Sequence, residues 1–343
     1  MRKQDLTSIK KQAKFLPNPK GRGPDFPISP KRISMPPQPE QENTKETAHC
    51  ENSSGKSSGK IGLVLEGGAM RGLFTAGVLD VFMEQGISFD GMVGVSAGAC
   101  FGCNLKSGQI GRALRYNKKY CTDWRYCSIR SLVLTGNLFG AQFCYHRLPA
   151  ELDPFDWEAF LSNPMEFFLV CTDMLTGEPV YHRCAERGYE CLEWMRASAS
   201  MPIVSTIVEI NGGKYMDGAL ADSIPLAFME RQGYGKNVVI LTQPEGYVKQ
   251  KQPFMGLVRL LYRKYPRFLD AFGQRHLLYN RQLECVQRQA EDGKAFVIRP
   301  EATLPVKRIT SKPELLQQTY DIGRQTGEQT LSKLKRWMEA LPL

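Results

Sequence analysis

The sequence lacks several features that define common protein classes. None of its apolar runs reaches the roughly 18 residues that a transmembrane helix needs. Residues 1–16 are basic but contain no continuous apolar block, which argues against a secretory signal. No second Cys-x-x-Cys accompanies Cys100 and Cys103, so a zinc ribbon is disfavoured, and ten scattered cysteines suit buried thiols in a reducing compartment. We therefore expect a cytoplasmic protein with no metal and no cofactor.

Signatures of nucleotide and nucleic-acid binding are also missing. The sequence contains no GxxxxGK[ST] P-loop, and its glycine-rich stretch fails the GxGxxG pattern because Ala69 occupies the third position. We find no helix-turn-helix, ribonucleoprotein or zinc-finger pattern either. We therefore expect no nucleic-acid partner, although the basic residues alone would allow one.

The composition predicts a basic N-terminal tail followed by a folded domain. The overall content of 42% hydrophobic and 23% charged residues is that of a globular protein. Residues 1–59 hold 8 of the 21 prolines and a Ser/Gly run, so we predict a disordered tail and linker there and a folded domain with a C-terminal helical extension over 60–343. Leu6, Ile9 and Ala13 recur at helical spacing between lysines, which indicates either a short membrane-surface helix or chance periodicity.

Apolar runs alternate with helical patterns from residue 61 onward. Short runs over 61–65, 92–95 and 167–171 predict buried strands, and further strands are predicted over 238–241 and 296–298. Asn211-Gly212 predicts the turn of a hairpin. Helical patterns lie between the strands, notably over 224–232 and 313–341. This alternation predicts an α/β fold with a mainly parallel sheet covered on both faces.

A GxSxG pentapeptide follows the second predicted strand. Gly94 and Gly98 flank Ser96 at the two positions where a strained strand-to-helix turn has no room for side chains. Such a nucleophile elbow exposes the serine hydroxyl at a helix N-terminus, where the helix dipole favours an oxyanion. The alternative is a Gly/Ala turn that serves only helix packing.

The glycine-rich stretch 67–72 (Gly-Gly-Ala-Met-Arg-Gly) lies between the first strand and its helix. Its exposed backbone amides suit either a bound phosphate or the oxyanion that forms when Ser96 attacks a carbonyl group. In the second interpretation the amides of Gly67 and Gly68 are the donors, and Arg71 holds the loop or binds an anionic head group.

Asp217 follows the predicted hairpin and precedes Gly218. Ser96 needs a base, and the Ser…Asp…His order of α/β hydrolases would require His276, which has no strand–loop context. A Ser96–Asp217 dyad is the simpler hypothesis, although Asp-Gly-Ala is by itself a common turn.

Together the three motifs resemble the patatin-like phospholipase family, in particular a bacterial subgroup. That family has GGxxRG, GxSxG and DG[GA] in this order on a three-layer α/β/α fold with a mainly parallel central sheet. The resemblance implies Ser96 as nucleophile and Asp217 as base, and it implies acyl-ester hydrolysis without a metal. It further implies an oxyanion hole, and the residues concerned are Gly67, Gly68, Ala69, Arg71 and Gly72.

The chain shares one more segment with the family pattern and departs from that pattern at two alanines. Residues 196–202 look like the family's Ala-Ser-x-Ala-x-Pro segment, which closes the substrate pocket. Ala69 and Ala219 replace glycines that are common in the family, but an alanine still presents a backbone N–H.

Basic residues interleave with apolar ones over residues 253–281. This pattern is typical of a lipid–water interface, of a nucleic-acid surface or of an amphipathic helix that covers the sheet. We expect a lipid or phospholipid substrate and peripheral contact with a membrane surface.

The main hypothesis is therefore a serine lipid acyl hydrolase, a phospholipase or esterase. An acyltransferase or thioesterase would use the same chemistry, and a catalytically silent lipid-binding protein could use the same fold.

Overall fold

The computed structural model describes residues 58–253 and 255–340. The predicted tail, apart from its last two residues, and its predicted N-terminal helix lie outside the described residues. The boundary between tail and domain therefore stays a prediction. Strand β1 begins at Ser58.

Within the described residues the chain forms eight strands, all in one sheet. They are β1 Ser58–Leu65, β2 Gly91–Val95, β3 Glu166–Asp173, β4 Pro179–Arg183, β5 Val208–Ile210, β6 Gly213–Asp217, β7 Tyr234–Ile240 and β8 Ala295–Ile298.

The sheet is parallel at its centre and antiparallel at one side. Its order is β5-β6-β3-β2-β1-β7-β8, with β4 also paired to β3. The five strands from β3 to β8 in this order run parallel, whereas β4 and β6 pair with β3 antiparallel, and β5 with β6 likewise. Parallel strands need crossover connections, and the helices between them supply these connections.

The same part of the chain contains ten α-helices. They are α1 Gly72–Glu84, α2 Ala97–Lys106, α3 Arg112–Tyr120, α4 Ile129–Thr135, α5 Trp157–Ser162, α6 Tyr189–Ser198, α7 Leu226–Arg231, α8 Met255–Leu261, α9 Pro266–Glu291 and α10 Pro313–Glu339. Short 3₁₀ helices cover Ala69–Arg71 and Gly218–Leu220, and a π-helix covers Gln142–Leu152.

Helices cover both faces of the sheet because the central strands are apolar on both sides. Leu63 and Leu65 of β1 pack toward the layer that contains α1, α2 and α10. Val64, between them, points to the opposite layer, which contains α7 and α9. This alternation along a strand produces the three-layer α/β/α arrangement that the sequence predicts.

The fold class and the predicted hairpin are confirmed. Strands β5 and β6 pair antiparallel around Asn211 and Gly212, both with positive φ. The basic, apolar stretch divides into two parts. Helix α9 buries Phe268 and Phe272 against the body of the protein, as an ordinary covering helix does, whereas α8 exposes most of its leucines. No helix among the described residues is long and apolar enough to cross a bilayer.

Candidate active site

The predicted site residues meet at the carboxyl ends of neighbouring strands. Leu65, the last residue of β1, pairs with Gly94 of β2, so the loop after β1 lies beside the turn after β2. Asp217, the last residue of β6, pairs with Cys171 of β3, the strand next to β2. In open α/β sheets this edge is where ligands bind.

Ser96 forms the strained turn that the pentapeptide predicts. It sits between β2 and α2 with φ 56° and ψ −120°, a backbone conformation that is costly for any residue with a side chain. A Cβ on Gly94 would lie 2.7 Å from Ala99 Cα, and one on Gly98 would lie 2.5 Å from the Leu65 carbonyl oxygen. Both positions are therefore restricted to glycine by backbone atoms.

The glycine loop lies directly against the serine. A Cβ on Gly67 would lie 2.8 Å from Ser96 Cβ, so only glycine allows this approach. Among the described residues, no acceptor receives a hydrogen bond from the backbone amides of Gly67 and Gly68. Free amides beside a serine side chain are what an oxyanion hole requires.

The other residues that the sequence assigns to the oxyanion hole shape the loop around the serine. Ala69 has φ 50°, a left-handed conformation. This conformation explains why glycine is common at this position in the family that the motifs resemble. Gly72 allows α1 to approach α2, since its Cβ would lie 2.8 Å from Ala97 Cβ. Arg71 lines the cavity beside Ser96, and its Nε is buried without a hydrogen-bond partner.

Asp217 is completely buried and faces Ser96. Its Oδ1 accepts a hydrogen bond of 2.9 Å from the Ala219 amide, whereas Oδ2 has no partner in good hydrogen-bonding geometry. Burial raises the pKa of Asp217, and Arg275, the Ala219 amide and the Ser96 hydroxyl each act to lower that pKa. The influence of the hydroxyl on this pKa indicates that it lies close to the carboxylate.

The last residue of α6 and the turn that follows it hold both residues in place. Ser198 Oγ accepts a 3.0 Å hydrogen bond from the Ser96 amide, and the Ser200 carbonyl accepts one of 2.9 Å from the Asp217 amide. Glu193 anchors this end of α6 through Arg196 and His146. These two partners more than offset the effect of burial and lower the pKa of Glu193 to about 2.

Ser96 and Asp217 open onto a cavity of about 550 Å³. Much of its wall is apolar, and the side chains include Phe101, Tyr116, Phe139, Leu148, Phe155 and Met195. Cys100 also lines the cavity, but burial raises the pKa of its thiol to about 12, so it stays protonated and unreactive.

The chain is similar to known proteins over most of its length. Residues 63–229 match the patatin-like phospholipase family, and residues 265–339 match a domain of unknown function, DUF6363. The uncharacterized protein YjjU of Escherichia coli is 30% identical over 295 residues, which are 83% of this chain and 81% of that protein. The chain belongs to the patatin-like phospholipase family.

A second relative has a named activity. Lysophospholipase NTE1 of Candida glabrata is 28% identical over 181 residues, which cover 50% of this chain and only 10% of that protein. Membership of the patatin-like phospholipase family indicates lipid acyl hydrolysis as the general activity.

Several residues that line the cavity of this patatin-like protein could not be predicted from its sequence. Glu66, Lys249, Tyr279 and Arg308 all line the cavity, and none belongs to a recognisable motif. Arg275 lies in the basic, apolar stretch that the sequence singles out, but its inward direction depends on the packing of α9. No histidine lines the cavity within the described residues, and His276 lies outside it.

One cluster away from the cavity has metal-ligand chemistry. His182, Cys184 and Glu186 place one ligand atom each within 4.8 Å of one another. His182 already pairs with Glu186 at 2.8 Å and stacks on Trp194, and burial raises the pKa of the Cys184 thiol well above its usual value. The side chains of this cluster already have partners in the protein, and the cluster is not part of the candidate active site.

Proposed function

We propose that this protein is a serine lipid acyl hydrolase that cleaves carboxylic esters through a Ser96–Asp217 dyad. The observation that carries the proposal is that a strained serine, two free backbone amides and a buried carboxylate line one cavity. No histidine or metal ion is needed for this arrangement to work.

In the proposed reaction, Asp217 takes the proton of the Ser96 hydroxyl while Oγ attacks the ester carbonyl carbon. The carbonyl oxygen becomes an oxyanion and is stabilised by the amides of Gly67 and Gly68. The tetrahedral intermediate collapses, the alcohol leaves with the proton from Asp217, and an acyl-serine remains. Water, deprotonated by Asp217, then releases the fatty acid and restores the serine.

The apolar wall of the cavity supports a lipid acyl chain as the group transferred to Ser96. Aromatic and aliphatic side chains gain roughly 25 cal/mol per Å² of apolar surface removed from water. A cavity of about 550 Å³ suits one chain of moderate length. A phospholipid or lysophospholipid is therefore the substrate class that we propose.

We also propose that the cavity mouth contacts a membrane surface. Helix α8 exposes Leu257, Leu260 and Leu261, and α4 exposes Ile129 and Val133. Leu257 itself lines the cavity. Three exposed cations accompany the leucines of α8, namely Arg259, Arg263 and Lys264. Exposed apolar side chains next to cations are typical of a surface that binds anionic lipids.

Substitution of the dyad tests the proposed reaction. We expect Ser96→Ala and Asp217→Asn each to reduce turnover of a neutral p-nitrophenyl ester by at least about 1,000-fold, because each removes a group that acts on the reacting atoms. A fluorophosphonate probe should label the wild type and not Ser96→Ala.

His276→Ala is the control, since His276 lies outside the cavity. It should retain turnover, and circular dichroism should show that all three variants fold. Retained turnover in Ser96→Ala, or its loss in His276→Ala, would contradict the dyad.

A further inference from the structure

Four cationic side chains line the cavity on the side of the glycine loop. Arg71 directly precedes α1, Lys249 follows β7, Arg275 lies in α9 and Arg308 precedes α10. Burial lowers the pKa of Lys249 to about 7, and Arg275, Arg71 and Arg308 contribute to this shift because they lie close by. The Arg308 carbonyl also accepts a hydrogen bond from the Met70 amide, which ties this segment to the glycine loop.

The protein neutralises this cluster only in part, since Asp217 and Glu66 are the two carboxylates that act on Arg275. No described carboxylate forms an ion pair with any of the four. Glu66 already accepts hydrogen bonds from the Thr242 amide and hydroxyl and from the Tyr279 hydroxyl. Asp217 is the proposed base, so four cations face two carboxylates that already have other roles.

Two of the four cations are more than nine-tenths buried. Arg275 is 8% exposed; its Nε donates to the Ala219 carbonyl at 2.6 Å, and its Nη1 has no hydrogen-bond partner. Lys249 is 7% exposed, and its Nζ lies 3.8 Å from the centre of the Tyr279 ring. Burial of unpaired cations is unfavourable unless an anion joins them.

The position of the cluster restricts what that anion is attached to. The cluster, the apolar side chains and Ser96 all line one cavity. An amphiphile would therefore place its acyl chain among the aromatic residues and its anionic group among the cations. Guanidinium groups favour phosphate because they donate two parallel hydrogen bonds.

We propose that Lys249, Arg275 and Arg308, together with Arg71, form a subsite that binds a phosphate group of the substrate. This inference rests on the proposed function for its substrate. Arg275 and Arg308 come from the stretch that matches the domain of unknown function, so that stretch completes the active site.

Calorimetric binding to the full-length protein tests the subsite without requiring catalysis. The probes for this test are octyl phosphate, octanol and inorganic phosphate. Octyl phosphate should bind at least about 10-fold more tightly than octanol, because charge-assisted hydrogen bonds contribute more than 1.4 kcal/mol in total. Inorganic phosphate should bind weakly, since it lacks the chain. Equal or tighter binding of inorganic phosphate would indicate a site for free phosphate and would overturn the proposal.

Charge removal tests which residues bind the phosphate. Lys249→Gln and Arg308→Gln should each lower the affinity for octyl phosphate about 10-fold and narrow its advantage over octanol. Lys307→Gln removes the same charge from the neighbouring residue, which does not line the cavity, and should leave the affinity unchanged. Since Arg308 is exposed, its replacement should not impair folding, and thermal unfolding checks this.

The results separate this proposal from the dyad. Equal affinity of the wild type for octyl phosphate and octanol would overturn the subsite even if ester turnover through Ser96 is observed. An unchanged octyl phosphate affinity in both glutamine variants would also overturn it. Selective binding without ester turnover would support the subsite while contradicting the proposed hydrolysis.

Discussion

At the scale of single residues, backbone strain and burial are concentrated at the proposed dyad. Ser96 and Ala69 both have positive φ, which costs about 1 kcal/mol or more for a residue with a Cβ. Asp217 is buried in a setting that opposes its ionised form. Proteins retain such unfavourable features where they serve binding or chemistry.

The raised pKa of Asp217 makes a prediction about pH. A base must be ionised to accept the serine proton, so kcat/KM should fall as pH drops through the pKa of Asp217, which lies above its usual value. Arg275 is the main group that lowers this pKa. Arg275→Gln should therefore move the acid limb of the kcat/KM profile to higher pH, measured with a neutral ester.

Arg275→Lys keeps the charge and should restore the acid limb toward its wild-type position. Arg267→Gln, at an exposed position in the first turn of α9, is the matched control and should leave the profile unchanged. An acid limb that stays in place in Arg275→Gln would show that Asp217 is not the titrating base, or that Arg275 does not act on it.

At the scale of elements, the hairpin β5–β6 and helix α6 together determine where the dyad lies. The hairpin delivers Asp217 to the carboxyl end of the sheet, and the last residue of α6 and the turn that follows it bind the amides of both dyad residues. Because these contacts come from different elements, a displacement of α6 would alter the serine and the carboxylate together.

Helix α8 makes a prediction about membrane contact. The double variant Leu260→Gln/Leu261→Gln should lower the partition coefficient onto vesicles of mixed phosphatidylcholine and phosphatidylglycerol by about tenfold or more, because two apolar side chains lose their burial in lipid. Vesicle sedimentation measures this coefficient.

Leu161→Gln is the matched control for α8. Leu161 is also exposed, but it lies in α5, which precedes the amino end of β3, opposite the cavity. Its replacement should not change sedimentation. Equal vesicle binding by the α8 double variant and the wild type would rule out α8 as the contact surface.

At the scale of the whole molecule, the stretch of unknown function is integrated into the patatin-like fold. Helix α10 packs on α1, where Gly77 faces the Tyr320 carbonyl and Gly323 faces the Phe74 carbonyl. Tyr320 donates a hydrogen bond to the buried Asp80, and Arg324 forms two hydrogen bonds with Glu84. The two matched regions therefore share one helix layer.

The close contact between α1 and α10 predicts that adding one methyl group there lowers the free energy of unfolding. Gly323→Ala would place a methyl group against the Phe74 carbonyl oxygen, and we expect a loss of about 1–3 kcal/mol in the free energy of unfolding. Gly256→Ala is the control, because nothing lies within 4 Å of the added Cβ. Urea unfolding measures both, and equal stability of the two variants would contradict the tight α1–α10 contact.

The sequence alone determines the local parts of this protein. Strand–glycine–helix turns around Gly67 and Ser96, and the Asn211-Gly212 hairpin, depend on steric limits within a few residues, so their patterns are visible in the chain. The strands also alternate with helices at spacings that predict the layers of the fold.

Only the tertiary structure decides what surrounds the serine. Arg71, Lys249, Arg275 and Arg308 lie far apart in the chain and carry no common pattern, yet they line one cavity. Whether an arginine on an amphipathic helix faces water or a cavity depends on how that helix rotates against its neighbours. That rotation follows from the packing of side chains distant in sequence, such as Phe272 and Tyr279 in the core, and no local pattern encodes it.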